Sequence, residues 1–248
     1  MLRLGKVVGY VDGKRPGEFT EEDAKHYIQK RKTSGAKDWT VRHEQVVLRK
    51  LIDYLGGENP TRNIPLIQAE DEIIPRAFTR ADLYKFMRLV KNRRMHLHGY
   101  LRPVTLTYLY AGLRPSELVR LTHSDIKAGK ILIQGATKTG RARSVEIHPR
   151  LMPHISACLR KNGKYLFGGD VQLRPETIGL TLRRVISDAG LEEVTPYSLR
   201  HTFITGLLRA GADLRYVMDK AGHRKLTTTT RYLHVIETED SPVRHIKF

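Results

Sequence analysis

The chain has 248 residues, 40% of them hydrophobic, so it can build a core and is not a disordered polyelectrolyte. A single cysteine, Cys158, excludes an intrachain disulfide and fits a reducing compartment. No stretch approaches the ~20 apolar residues of a membrane span, and no secretory signal or lipidation motif is present, so a soluble cytoplasmic protein is expected.

The formal net charge is +18, of which residues 1–75 carry +1 and residues 76–248 carry +17. Such an excess points to a polyanion. Without a basic amphipathic helix, nucleic acid is favoured over a membrane surface; a merely solvated basic surface is the alternative.

Residues 1–17 read as a tail. In "TEEDAKHYIQKRKTSG", Thr20 is an N-cap, and Glu21, Glu22 and Asp23 suit the positive end of a helix dipole; Gly35 stops the helix. "DWTVRHEQVVLRKLIDYLGG" sets Val41, Gln45, Leu48, Ile52 and Leu55 at helical spacing, widened by Val47, Leu51 and Tyr54. "ENPTRNIPLIQAEDEIIPRAF" has three prolines and an acidic cluster and reads as linker. Residues 18–69 are predicted to form a small helical domain, with 70–75 joining it to a second domain over 76–236.

In that second domain "TRADLYKFMRLVKNR" predicts a capped helix from near Thr79. "PVTLTYLYAGLRPSELVRLTHSDI" is helical to Gly112, and Pro115 then suits the first turn of another helix. "KILIQGATKTGRARSVEIH" changes period, so 131–133 and 144–147 are predicted strands of a hairpin. Helices resume with "PETIGLTLRRVISDAG", "SLRHTFITGLLRAG" and "DLRYVMDKAG", the last ending at Gly222. Residues 237–248 read as a C-terminal tail. The fold class is mainly α with a small β-sheet or hairpin (α+β).

Three cations fall at predicted element edges: Arg114 between helices, Lys138 in the hairpin turn and Arg200 at a helix start. Taken singly, each reads as a solvated surface charge. His96 and His98 have no accompanying ligand cluster, so no metal site is expected. "TKTG" lacks the Gly-x₄-Gly-Lys-Ser/Thr pattern, and no dinucleotide fingerprint is present.

Four stretches in order resemble the tyrosine recombinases, or phage-type integrases, of Xer-like type. "AGLRPSEL" resembles the box of the first catalytic arginine, here Arg114. "TKTGRARSVEIH" resembles the hairpin box of the catalytic lysine, here Lys138. "TPYSLRHTF" resembles the His-x-x-Arg box of the second arginine, here Arg200. "AGHRKLTTTTRYLHV" resembles the stretch from the Leu-Gly-His box to the nucleophilic tyrosine, with His223 and Tyr232 nine residues apart as in the family. Residues 18–69 are similar to the family's core-binding domain.

The resemblance implies DNA strand cleavage by transesterification, with Tyr232 attacking the scissile phosphate to leave a 3′-phosphotyrosine and a free 5′-hydroxyl. Two planar guanidiniums, Arg114 and Arg200, suit the charged non-bridging oxygens. His223 adds a hydrogen bond, and Lys138 protonates the leaving oxygen. Nearby cations are expected to help the Tyr232 phenol ionise. No metal or other cofactor is implied, because the arginines hold the charge a metal would. Glu117 supports Arg114 or another site residue, or is an ordinary carboxylate at a helix N-terminus. Tyr197 stands where the family has histidine; it is expected to position the phosphate without shuttling protons, so Tyr197→Phe should weaken cleavage.

Expected DNA contacts are Arg141 and Arg143 beside the hairpin and Lys30, Arg31, Lys32 and Arg42 on the N-terminal helices. The resemblance implies a two-domain clamp on a specific duplex site, four protomers on two such sites, a nucleoid-associated location and a C-terminal tail that docks on a neighbour through Ile246 and Phe248. Two alternatives share its chemistry or fold: a type IB topoisomerase-like relaxing enzyme, and a regulator that has lost catalysis. Finally, a threonine of the "TTTT" run is expected to N-cap a short helix that presents Tyr232.

Overall fold

In the computed structural model, which describes residues 7–10, 18–56, 58–68, 76–92, 96–135, 142–223 and 225–233 (side chains of His96 and His98 excepted), Thr20 starts the first long helix as its sequence predicts. Its hydroxyl accepts the Asp23 N–H at 3.2 Å and the Asp23 carboxylate accepts the Thr20 N–H at 2.9 Å, a reciprocal capping box. Helix α1 spans Glu21–Thr33, and α2 spans Asp38–Leu55. They belong to the first of two compact units, Met1–Ile73.

The stripe of α2 buries Val41, Gln45, Leu48 and Ile52, whereas Tyr54 and Leu55 in its last turn are exposed, a correction to the predicted stripe. Leu48 and Ile52 meet Phe19, Ala24, Tyr27 and Ile64 in one small core. Two expectations of loose chain are corrected here. Residues 7–10 of the expected tail form a helical turn with Val7 fully buried in that core. The segment read as linker is bound to α2 through residue 67. Gln45 donates to the Pro65 carbonyl and accepts from the Ile67 N–H, and Arg49 donates to the Thr61 and Ile64 carbonyls. Satisfying these backbone groups orders chain that its prolines keep out of helix. The expected linker 70–75 lies outside the described residues.

The second unit is Ile74–Phe248. Its helices are α3 (Arg80–Asn92), α4 (Leu101–Ala111), α5 (Pro115–Leu118), α6 (Met152–Leu159), α7 (Pro175–Asp188), α8 (Ser198–Arg209), α9 (Leu214–Ala221) and α10 (Leu226–Thr230). Three antiparallel strands lie in the order β1 (Ile126–Lys127), β2 (Lys130–Ile133) and β3 (Arg143–Glu146). The β2–β3 register pairs Ile131 with Val145, and both are buried. The predicted hairpin is thus the larger part of a three-stranded sheet. Helix α6 and strand β1 are additions to the sequence reading.

Helix α4 is apolar nearly all round, as befits a helix inside the core. Thr105 and Thr107 return their hydroxyls to the Leu101 and Pro103 carbonyls at 2.8 Å, which lets them be buried. Helix α8 packs against α4, and α9 packs against α8, β3 and α10. These packings bring the first-arginine box, strand β3 and the last three helices to one place. No helix among the described residues is long and apolar enough to cross a membrane.

Candidate active site

Two glycine caps aim the site. Helix α4 ends at Gly112 in the left-handed region, φ +59°, and α9 ends at Gly222, φ +66°. Arg114 follows the first cap and precedes Pro115, which pushes it into extended backbone, φ −73° and ψ 152°. His223 follows the second cap, its N–H bonded to the Met218 carbonyl at 2.9 Å. Both glycines are tightly approached: a Cβ at Gly112 would meet the Phe203 ring, and one at Gly222 would lie 2.6 Å from Arg143 Nη1 and 3.1 Å from Arg114 Nη1.

Three guanidiniums converge on the carboxyl end of α9. Arg143 Nε donates to the Lys220 carbonyl at 3.0 Å, Arg200 Nη2 to Ala221 at 2.5 Å, and Arg114 Nη2 to Gly222 at 2.5 Å. Those carbonyls are the negative, unsatisfied end of a helix. Arg200 also donates through Nη1 to the Gly112 carbonyl, so the cap glycine of the Arg114 box holds Arg200 and the cap glycine beside His223 holds Arg114. Arg200 is 1% exposed, and its Nε has no hydrogen-bond partner among the described residues.

Glu117 binds this set together. Its Oε2 accepts the Arg114 N–H at 2.7 Å and Arg143 Nη2 at 2.8 Å; its Oε1 accepts Arg114 Nη1 and Arg143 Nη1, both at 2.9 Å. Burial pushes this carboxyl up, and the two arginines outweigh that and hold it at about 2. Both expected roles of Glu117 therefore coexist: it caps α5 and braces Arg114. Arg143, expected as a DNA contact, is corrected. Its side chain is buried in a bidentate ion pair, which takes it off the surface. Lys138 and Arg141 lie outside the described residues.

His223 is buried, its Nδ1 2.8 Å from the Thr229 hydroxyl. Burial, then Arg200 and Arg114, lowers it to about 3, so the imidazole is neutral near pH 7. In the tautomer whose Nδ1 accepts from the Thr229 hydroxyl, Nε2–H is left as a donor. The threonine run corrects the expected cap. Thr227–Thr230 lie inside α10, whose N-cap is Lys225 without a side-chain bond, and the run supplies a buried partner for His223.

Tyr232 is 3% exposed and packs with Ile204, Leu208, Val217 and Ala221. Its hydroxyl lies 2.5 Å from His201 Nδ1. Sequence reasoning passed over His201, although it directly follows Arg200. Arg200 and Arg231 lower the Tyr232 pKa, the direction expected of nearby cations, but burial and then Tyr197 raise it by more. Tyr197 is 45% exposed and stands edge-on to His201, ring centroids 4.6 Å apart.

In the first unit, Lys30, Lys32 and Arg42 are exposed, whereas Arg31, also expected as a DNA contact, is engaged by buried Glu44 at 2.7 and 3.1 Å. Among the described residues, no three His, Cys, Asp or Glu side chains gather as metal ligands.

Residues 77–239 match the phage integrase family. A tyrosine recombinase of Pseudothermotoga lettingae is 30% identical over 206 residues, 77% of this chain and 69% of the relative. Among solved structures, the Tn1549 transposon integrase in complex with transposon right-end DNA has a TM-score of 0.74 at 20% identity, covering 93% of this chain and 87% of that one. A lambda integrase tetramer bound to a Holliday junction has a TM-score of 0.71 at 14% identity, covering 92% and 68%. The chain belongs to the phage integrase family. It is a tyrosine recombinase, an enzyme that cleaves and rejoins DNA strands.

Proposed function

We propose that the protein cuts and rejoins DNA at a specific duplex site through a 3′-phosphotyrosine on Tyr232. The observation that carries this reading is the convergence of Arg114, Arg200, His223 and Tyr232 at the carboxyl end of α9, although the outermost two are 118 residues apart in the chain. A phosphate entering there replaces the carbonyls of residues 221 and 222 as acceptor for the two guanidiniums. Charged phosphate oxygens form stronger hydrogen bonds than neutral carbonyls. Arg200 Nε and His223 Nε2 add donors where transition-state charge collects. Tyr232 Oη attacks phosphorus, the P–O5′ bond breaks, and Lys138 protonates the leaving oxygen. Tyr197, half exposed beside His201, gives a hydroxyl to the same phosphate.

The first unit supplies a second DNA contact surface through Lys30, Lys32 and Arg42, and the +17 charge of residues 76–248 supports binding to a polyanion. The reading extends to a tetramer on paired sites, with residues 237–248 docking on a neighbour, and to a location on the nucleoid. The tetramer of the structurally similar lambda integrase supports the assembly.

A nicked suicide duplex and a denaturing gel test the mechanism. A covalent protein–DNA band is expected from wild type and not from Tyr232→Phe. A band that survives that substitution moves the nucleophile elsewhere, with Tyr197 the next to replace. A two-site assay that yields relaxed circles without exchanged strands would favour a topoisomerase.

A further inference from the structure

Tyr232 is not poised as a phenolate, so its proton must be taken by a neighbour during attack. The described side chains leave few acceptors. Tyr197 is itself a phenol, and His223 Nδ1 is occupied by Thr229. Arg200 and Arg114 only donate. His201 is the remaining group, and it is already in contact with the reacting oxygen, Nδ1 to Oη 2.5 Å.

We propose that His201 is a catalytic residue, the general base that accepts the Tyr232 proton at Nδ1 during cleavage and returns it during rejoining. The proposal rests on Tyr232 being the nucleophile. In the forward step the Oη–H proton passes to Nδ1 while Oη bonds to phosphorus and the P–O5′ bond breaks. The 5′-oxygen leaves with a proton from Lys138. In the reverse step the 5′-hydroxyl attacks, the Oη–P bond breaks, and the imidazolium reprotonates Oη.

Three observations support this role beyond the contact. Among the described residues, His201 Nε2 is buried with no hydrogen-bond partner, so none of them fixes Nδ1 as the protonated nitrogen. Burial, then Arg200, lowers His201 to about 4, so the ring is neutral at pH 7 with Nδ1 able to accept, though a weak base while the Arg200 charge stands unopposed. His201 also directly follows Arg200 on α8. A phosphate monoanion seated against Arg200 cancels the charge that opposes an imidazolium, so the base strengthens when substrate arrives.

Single-turnover cleavage of two nicked suicide duplexes tests this, one with the ordinary scissile phosphate and one with sulfur at the bridging 5′ position. A thiolate leaves without protonation, so sulfur removes the need for a general acid but not for a general base. His201→Gln keeps a hydrogen-bond partner for Tyr232 and loses basicity. It should cut both substrates about 10²-fold more slowly than wild type, with DNA binding unchanged, whereas Lys138→Ala should be restored on the sulfur substrate. Wild type should also cut the sulfur substrate more slowly in D₂O, a readout that needs no variant and stands if His201→Gln unfolds. The proposal is overturned if His201→Gln cuts as fast as wild type or faster, if sulfur restores it, or if D₂O leaves the wild-type rate unchanged. If wild type forms no adduct at all, the recombinase reading itself has failed, an outcome distinct from a cleaving wild type matched by His201→Gln.

Discussion

Glu117 and Arg143, 26 residues apart in sequence, meet through two parallel hydrogen bonds of 2.9 and 2.8 Å. The same carboxylate takes two more donors from Arg114, so all its acceptor positions are filled. Removing it would leave two guanidiniums facing each other with no anion between them. Breaking one side of a buried pair costs about 3–5 kcal/mol. Glu117→Gln should therefore lower the denaturation midpoint of the catalytic unit and the cleavage rate together. A variant as stable as wild type would show that the carboxylate is not what holds the arginines.

Acid should weaken the fold in two stages. His201 at about 4 and His223 at about 3 are lowered below their ordinary value of 6.5 by burial and Arg200. Below pH 6.5 the unfolded chain binds protons that the native histidines refuse, so stability falls with pH, by up to ~1.4 kcal/mol per unit for each histidine. That loss runs until the folded values are passed. Glu117, lowered to about 2 from 4.5, holds stability that is complete above 4.5 and lost as pH falls through 2. Melting temperatures across pH 7 to 3 should decline from 6.5 downward in wild type. Glu117→Gln should keep the upper decline and lose its share of the lower one.

Gly222→Ala combines two faults. Left-handed backbone costs a side-chain-bearing residue about 1–2 kcal/mol, and the new Cβ would press on Arg143 and Arg114. Loss of cleavage is expected to exceed what the fall in melting temperature explains, because both guanidiniums are displaced. Cleavage retained in proportion to folded protein would argue against that displacement.

Two neighbouring cations on α1 should respond differently. Lys30 is exposed, and Arg31 pairs with buried Glu44. Lys30→Ala should leave stability unchanged and reduce the slope of log affinity against log salt by about 0.9, one phosphate contact. Arg31→Ala should lower stability, since among the described residues Glu44 would keep a buried charge with only the Tyr27 hydroxyl beside it. Equal salt slopes for Lys30→Ala and wild type would remove Lys30 from the DNA surface.

Local signals were readable because they act over a few residues. Thr20 with Asp23, the glycines after α4 and α9, and Pro115 after Arg114 each set their own backbone. The short apolar run at 131–133 and the alternation at 144–147 gave two strands. What escaped depends on distant packing. Arg143 looks like any hairpin arginine until Glu117 and α9 close around it. His201 acquires its partner from 31 residues away. The threonine run has strand propensity, yet its tertiary setting makes it helical, where Thr229 meets His223. Leu55 fits the helical period, but α2 outruns its core there.

The row of carbonyls at residues 220, 221 and 222 bears on which anions can enter. A free phosphate or nucleotide meets guanidiniums that already hold neutral acceptors. Its gain is only the difference between an anionic and a neutral partner. A duplex would bring a run of phosphates, and the counterions released from them add to binding beyond the one phosphate at this end of α9. That added contribution can displace the carbonyls when a single small anion cannot. The closed end of one helix would thereby favour polymer over metabolite before any base is read.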